Sequence, residues 1–281
     1  MEHSQVKELE GCTFEDCKSL EIVTLPKELE SIGSCDFMNC DKLCKIIIPP
    51  TVEHIGHGAF CDCKDISMVQ MSQKIKSIED SAFRDCVNLK SISIPEGVEK
   101  IGKSAFENCG ISDTFTSVPK INEEGNIEYD EVQTMPYVDF LVIPSTVKEI
   151  GKNAFKGSGI VYCHYMDGED GVTEILPGTF TDCKRLQAIN LPEGLQKIYE
   201  GAFSNCPLLS SAHLSNGPRR NINILFSNCE DIPSIFEQLR MKIANGKGKI
   251  TLDNIKDALV RERNLFRKNA NLSGKGGITI N

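Results

Sequence analysis

Residues 83–106 read FRDCVNLKSISIPEGVEKIGKSAF and begin and end on phenylalanine. Most of the chain repeats this pattern. Nine of the 13 phenylalanines keep its register, at positions 14, 37, 60, 83, 106, 155, 180, 203 and 226. The first five are 23 residues apart, and the later intervals are 49, 25, 23 and 23 residues. A fixed period of about 20 to 29 residues with apolar anchors predicts a solenoid, in which each repeat forms one rung of a stack.

Composition argues against several functional classes. The net charge of −9 and the pI near 5.2 argue against a nucleic-acid partner, which requires a basic face. No run of 18 apolar residues is present, so no membrane span is predicted. The first nine residues lack the apolar core of a signal peptide. Together with free cysteines this favours a cytoplasmic location. If the chain is a fragment of a longer protein, a cell-surface or secreted location is equally open.

The cysteines follow the same register as the phenylalanines. Eight of the 13 lie three residues after a repeat phenylalanine, at 17, 40, 63, 86, 109, 183, 206 and 229, and only Ser158 interrupts the set. One thiol per rung at one position predicts a buried column of small side chains. Adjacent strands are about 4.8 Å apart, so spacing alone leaves disulfides between rungs open. No Cys-x-x-Cys pair occurs, and no metal site or cofactor is predicted.

Each repeat contains two extended segments. The first has the pattern apolar-x-x-apolar-x-apolar-Pro, as in Leu89, Ile92, Ile94 and Pro95, and its alternation places the anchors inward and the intervening residues outward. The second has two anchors three residues apart. A glycine follows the second anchor in four repeats, where we expect it to permit a tight corner: Gly33, Gly56, Gly102 and Gly151.

The combined motif is Ile-Gly-x-x-Ala-Phe-x-x-Cys-x-x-Leu-x-x-Ile-x-Ile-Pro-x-x-Val-x-x-Ile. It resembles the BspA-type (Treponema pallidum-like) leucine-rich repeat, over residues 6–229. The resemblance implies a curved solenoid with a recognition role, as in bacterial surface adhesins and many proteins of unicellular eukaryotes. The expected fold is therefore mostly β, a right-handed leucine-rich-repeat coil of about ten rungs of about 23 residues, with a C-terminal α-helical cap.

Three domains are predicted. Residues 1–229 form the solenoid, with insertions near 112–137 and 166–171. The first insertion contains an acidic segment with a Gly125-Asn126 turn, which favours a hairpin or a protruding loop. Residues 230–270 have helical spacing and form a cap that resembles a degenerate EF-hand, although the calcium-ligand positions do not fit. Residues 271–281 form a glycine-rich flexible tail.

The outward positions of the first segment indicate the function. Phe140, Val142, Tyr162 and His164 fall on adjacent rungs beside the long insertion and form an apolar, aromatic patch; Met68 and Ile47 lie on the same face. We predict a non-catalytic scaffold that recognises a protein or glycan through its concave strand face and the insertion loop. The partner would be a protein or a ligand of the cell surface or extracellular matrix. An insertion that folds over the patch and covers it is the alternative.

An enzyme, a metal-responsive regulator and a self-associating solenoid are the other functional classes to consider. No catalytic motif appears and no nucleophile or carboxylate is placed to orient a histidine, so an enzyme is not predicted and no catalytic residue is assigned. A metal-responsive regulator that uses the C-terminal helix pair or the cysteines is one alternative. A structural solenoid that self-associates through its N-terminal end is the other.

Overall fold

The computed structural model describes residues 6–89, 92–110, 118–121, 127–130, 140–166, 168, 170–192, 194–209 and 211–214. Within these ranges the chain consists of short strands joined by turns and contains no helix. The predicted cap at 230–270, the tail, Phe226 and Cys229 lie outside the described residues.

The strands, numbered along the chain, occupy two repeat positions, which we call the first and second ladders, and form one separate pair; among the described residues each ladder comprises two hydrogen-bonded sheets. The first ladder contains β2 (Lys45–Ile47), β4 (Met68–Gln70), β9 (Phe140–Ile143), β11 (Tyr162–Tyr165), β13 (Ala188–Leu191) and β15 (Ser211–Leu214). The second ladder contains β1 (Ser31–Ile32), β3 (His54–Ile55), β5 (Ser77–Ile78), β6 (Lys100–Ile101), β10 (Glu149–Ile150), β12 (Glu174–Ile175) and β14 (Lys197–Ile198). The separate pair is β7 (Val118–Ile121) and β8 (Ile127–Asp130).

All pairing within the two ladders is parallel and joins the same repeat position of successive rungs. In the second ladder, for example, Ile55 pairs with Ile78 and Ile78 with Ile101. These isoleucines are fully buried, as the predicted inward anchors should be. The chain is therefore a β-solenoid with a spacing of about 23 residues per rung.

A column of phenylalanine rings runs through the core. The eight rings from Phe14 to Phe203 stack in sequence, with centroids 5.0 to 5.6 Å apart and planes within 12° of parallel. The separation is close to the spacing of β-strands, because each ring occupies one rung. The predicted register of the phenylalanines is confirmed for these eight.

The cysteine column lies beside the rings and is hydrogen-bonded. In six rungs the thiol donates to the carbonyl oxygen of the phenylalanine one rung earlier, over 3.0 to 3.1 Å; the donors are Cys40, Cys63, Cys86, Cys109, Cys183 and Cys206. The described cysteines are all free thiols. Burial raises the pKa of Cys206 to about 11 and that of Cys183 to about 12, so both stay neutral. The six thiols that make these bonds are buried, as predicted, whereas Cys17 in the first rung is exposed.

Tight turns follow the phenylalanines. The residue two positions later has a left-handed backbone, with φ between 56° and 61°, in Asp16, Asn39, Asp62, Asp85, Asn108, Asp182 and Asn205. Asparagine and aspartate adopt this conformation more readily than other residues with a side chain. Their side chains also bond between rungs, as Nδ2 of Asn108 does with Oδ1 of Asp85 at 2.7 Å. These turns fix each rung against its neighbour.

The four glycines after the second anchor serve a different purpose from the one expected. Their φ angles are not positive, so the corner does not require a left-handed residue. A Cβ on Gly56 would lie 2.6 Å from the carbonyl carbon of Gly33, and one on Gly151 would lie 2.6 Å from that of Gly102. Glycine is needed here because the backbones of adjacent rungs approach closely, and the corner interpretation was wrong.

The solenoid continues directly across the long insertion. Ser93 pairs with Val142, and β6 pairs with β10. The rings of Phe106 and Phe155 stack at 5.6 Å. Within the insertion β7 and β8 are antiparallel, with Ile121 opposite Ile127, as in a hairpin. The extra residues therefore leave the stack between one rung and the next.

Candidate recognition surface

The outward positions of the first ladder fall into two rows, each of which is paired in two separate stretches. In one row Lys45 pairs with Met68. In the same row Phe140 pairs with Tyr162 and Tyr162 with Ala188. In the other row the pairs are Ile47 with Gln70, Ser93 with Val142, Val142 with His164, and His164 with Asn190. The six predicted residues therefore fall into two paired groups at the same repeat positions, with the rung of Ser93 between them; one group is Ile47 and Met68, and the other is Phe140, Val142, Tyr162 and His164.

Ile47 and Met68 form the exposed apolar part of this surface. They lie diagonally across β2 and β4 and are 50% and 45% exposed. Two ion pairs join the same rungs just before these strands, from Lys42 Nζ to Asp65 Oδ2 at 3.3 Å and from Lys64 Nζ to Asp41 Oδ1 at 2.9 Å. Ion pairs this exposed add little stability. Ile47 and Met68, the apolar pair, are bordered by polar residues, since Met68 pairs with Lys45 and Ile47 with Gln70.

The second group is less exposed than the sequence led us to expect. Val142 and Tyr162 are half-buried, and His164 is only 8% exposed. The exposure expected for His164 was therefore wrong, although its role in binding stays a prediction. The side chain of Phe140 lies outside what the structure describes.

Contacts between rungs explain this burial. Nδ2 of Asn190 lies 2.9 Å from Nδ1 of His164 and, being an amide NH2, can only donate to it. In this contact Nδ1 of His164 acts as the acceptor. The hydroxyl of Tyr162 donates to Oε1 of Gln187 at 3.0 Å. Side chains at equivalent positions reach each other because successive rungs are one strand spacing apart.

Asn190 and Gln187 are not among the residues that the sequence predicts to bind a partner. Asn190 occupies the repeat position of His164 one rung later, so the register alone could have paired them. Gln187 precedes β13, and its contact with Tyr162 has no signal in the repeat pattern. Polar partners of this kind hold the second group in one arrangement.

Two features of the described residues bear on metal binding and on membrane insertion. No three His, Cys, Asp or Glu side chains within them converge in a way that could hold a metal ion. No helix in the same part of the chain is long and apolar enough to cross a membrane.

The repeat family follows from a match to a protein-family model. The model, described as a BspA type leucine rich repeat region with six copies, matches residues 3–124 and 126–243. The chain belongs to the BspA-type leucine-rich repeat family. Proteins of this family are generally scaffolds without enzymatic activity.

Several solved structures are similar to this BspA-type chain. The leucine-rich repeat protein of T. pallidum is 22% identical, with 79% of each chain covered and a TM-score of 0.46. A leucine-rich cell surface protein of Faecalibacterium prausnitzii is 24% identical, with 81% of this chain and 73% of that chain covered and a TM-score of 0.38. The pneumococcal vaccine antigen PcpA is 18% identical, with 68% and 55% covered and a TM-score of 0.32. No curated protein sequence matches the chain.

Proposed function

We propose that this protein is a non-catalytic recognition scaffold that binds a partner protein through the outward face of its first ladder. The observation that carries the proposal is the exposed apolar pair on adjacent strands, with Ile47 at 50% and Met68 at 45% exposure. Apolar residues with a polar border are typical of the centre of a protein interface. The partner surface would be apolar at its centre.

The second group extends the same face. Val142 and Tyr162 remain partly accessible, and Tyr162 is oriented by its hydrogen bond to Gln187. A side chain already held in one rotamer loses little conformational entropy on binding. The parallel ladders hold both groups on one rigid support. The predicted contribution of Phe140 and of the insertion loop forms part of this proposal.

A glycan ligand is less favoured, because sugars bind by stacking on exposed aromatic faces and the most exposed apolar residues described on this face, Ile47 and Met68, are not aromatic. The metal-responsive and self-associating alternatives stay predictions. So does the cytoplasmic location.

The proposal is tested by affinity capture followed by measurement with the purified partner. The full chain captures binding proteins, mass spectrometry identifies them, and one is then titrated against variants. The double variant Ile47→Lys, Met68→Lys is expected to weaken binding at least 30-fold, about 2 kcal/mol. Tyr162→Ala, which removes the hydroxyl and ring, is expected to weaken it several-fold.

A matched control is Leu208→Lys, since Leu208 is 51% exposed but lies in the turn after Cys206, outside the first ladder. It should bind like the natural protein. Equal affinity of the natural protein and the double variant would refute the proposal, as would loss of binding on enzymatic removal of the partner's glycans.

A further inference from the structure

The first described rung exposes core positions that the second rung buries. In the second rung five core side chains are at most 1% exposed: Ile32, Phe37, Cys40, Leu43 and Ile46. Their equivalents one rung earlier are half-buried or exposed: Leu9, Phe14, Cys17, Leu20 and Val23. One face of the Phe14 ring stacks on Phe37 at 5.0 Å, and no described ring stacks on its other face. These five residues of the first rung form an apolar surface, called here the end face.

The turn of the first rung, residues 11–15, presents unused acceptors beside the end face. In the second rung the carbonyls of Ser34, Asp36 and Met38 accept bonds from N–H groups of the first rung, over 2.7 to 2.9 Å. The equivalent carbonyls of the first rung accept no bond from a described residue: Gly11, Thr13 and Glu15. Buried carbonyls are nearly always paired, so a segment that covers the end face has to donate to them.

Acidic side chains predominate along the same rung. Residues 7–21 contain five acidic residues and two lysines, all exposed or half-buried: Glu8, Glu10, Glu15, Asp16, Glu21, Lys7 and Lys18. Lys7 is already paired with Glu30, with Nζ 2.8 Å from Oε1. The end face therefore has an acidic border. It suits a segment with an apolar centre and basic edges, since lysine and arginine only donate and are attracted by the carboxylates.

One part of the chain that lies outside the described residues has this composition. Residues 240–270 contain nine lysines and arginines and three acidic residues, a net charge of +6, although the whole chain carries −9. Ile255, Leu259 and Phe266 follow the spacing of one helical face, in the region for which the sequence predicts helix. The sequence of this segment therefore combines apolar residues at helical spacing with an excess of donors.

We infer that residues 240–270 of one copy of the chain bind the end face of a second copy, with their apolar residues on Phe14 and their basic residues at the acidic border. Within one chain this segment follows the last described strand, Ser211–Leu214. That strand belongs to the other end of the phenylalanine column, which runs from Phe14 to Phe203 in seven steps of 5.0 to 5.6 Å. The contact therefore joins copies head to tail, and such a contact adds copies in a row.

The inference gives the self-associating alternative a defined contact and is independent of the proposed function. It is tested by light scattering, which measures the molar mass of the full chain as a function of concentration. The mass is expected to rise with concentration and to exceed that of two copies. The association should weaken as salt is added, because salt screens the attraction between the exposed charges. A mass of one chain at every concentration would overturn the inference.

A charge reversal with a matched control locates the end face. Glu8→Lys with Glu10→Lys changes two exposed positions of the border and should weaken association about tenfold or more. The control is Glu149→Lys with Glu174→Lys, which changes the net charge equally at exposed sites in the repeat position of Glu8. The control should associate like the natural protein. Equal weakening by the two pairs would contradict the inference, because net charge and not the end face would then govern association.

A mixing experiment identifies the two sides of the contact. Arg261→Glu with Arg263→Glu alters the segment and should weaken association as much as the Glu8, Glu10 pair. An equimolar mixture of these two variants should form complexes of two copies, since one variant keeps the natural segment and the other keeps the natural end face. Two copies that fail to assemble in the mixture would overturn the inference, as would a segment bound to its own chain, which mixing cannot restore. Ile47→Lys with Met68→Lys should associate normally, so failure here and failure of the proposed function are distinguishable.

Discussion

The long insertion and the short one affect the solenoid in opposite ways. The long insertion adds 26 residues to the 23-residue period, yet β6 and β10 pair across it and the rings of Phe106 and Phe155 stay stacked. The short one lengthens the repeat to 25 residues, and there the second ladder is interrupted between β10 and β12.

The position of the extra residues explains the difference. The long insertion leaves the stack after the turn that ends at Gly110, before the first strand of the next rung, so no paired segment is displaced. The short one enters between the two ladders of a single rung, where the length of the link sets the position of β12. The tolerance of a solenoid for extra residues therefore depends on where they enter more than on their number.

The largest expected effect is the loss of folding stability at high pH. It comes from the thiol column, which continues past the interruption. Burial raises the pKa of Cys40 and Cys206 to about 11, whereas unfolded thiols ionise near pH 8.5. The unfolded chain therefore binds fewer protons above pH 8.5. The stabilisation is complete below that pH and is lost as pH rises towards 11, at about 1.4 kcal/mol per thiol and pH unit. The free energy of unfolding in urea, measured between pH 7 and 10, gives this loss.

Matched serine variants show whether the interruption loosens its rung. Ser158 occupies a column position naturally, so serine fits there. Cys86→Ser in the regular part and Cys183→Ser beyond the interruption should each reduce the pH slope by the same amount. A smaller reduction for Cys183→Ser would mean that the gap reaches the core.

The next effect is steric. A Cβ at Gly151 would lie 2.6 Å from the carbonyl carbon of Gly102, so Gly151→Ala forces two rungs apart and should cost about 3 kcal/mol. Leu176 occupies the same repeat position beyond the gap, and Leu176→Ala should cost at most about 1 kcal/mol. The urea unfolding midpoints of the two variants test this prediction. Similar losses of stability would argue against close approach of the rungs as the reason for glycine at position 151.

A smaller effect comes from proline. Tyr199→Pro removes the bond from Tyr199 N to Ile175 O and should cost about 2 kcal/mol, while Leu176→Pro removes no backbone bond and should cost less than about 1 kcal/mol. Thermal unfolding measures both. Equal destabilisation would show that the ladder is closed at Leu176 in solution.

The smallest effect is expected for the long insertion. Excision of residues 112–137 restores the 23-residue period and should change the free energy of unfolding by about 1 kcal/mol or less, because closing a longer loop costs little. A loss of several kcal/mol would mean that the insertion packs on the solenoid.

Much of the architecture could be predicted from local pattern. The phenylalanine column, the thiol column, the inward anchors and the ladder that carries Ile47, Met68, Val142, Tyr162 and His164 all follow from residue type repeated at a fixed interval, since stacked rungs place equal positions side by side. The reason for Gly151 did not follow, because the clash it avoids is with another rung. The burial of His164 did not follow either, because it is set by contacts between rungs, among them the one with Asn190, 26 residues away.

By itself the sequence determined the family, the period, the inward and outward alternation and the path of the core columns. Each of these properties is set by the residues of one repeat and recurs in every repeat. Only the tertiary structure decided which outward side chains are accessible, and that the second ladder is interrupted between β10 and β12. Those properties depend on the distance between successive rungs, and no single repeat contains that distance.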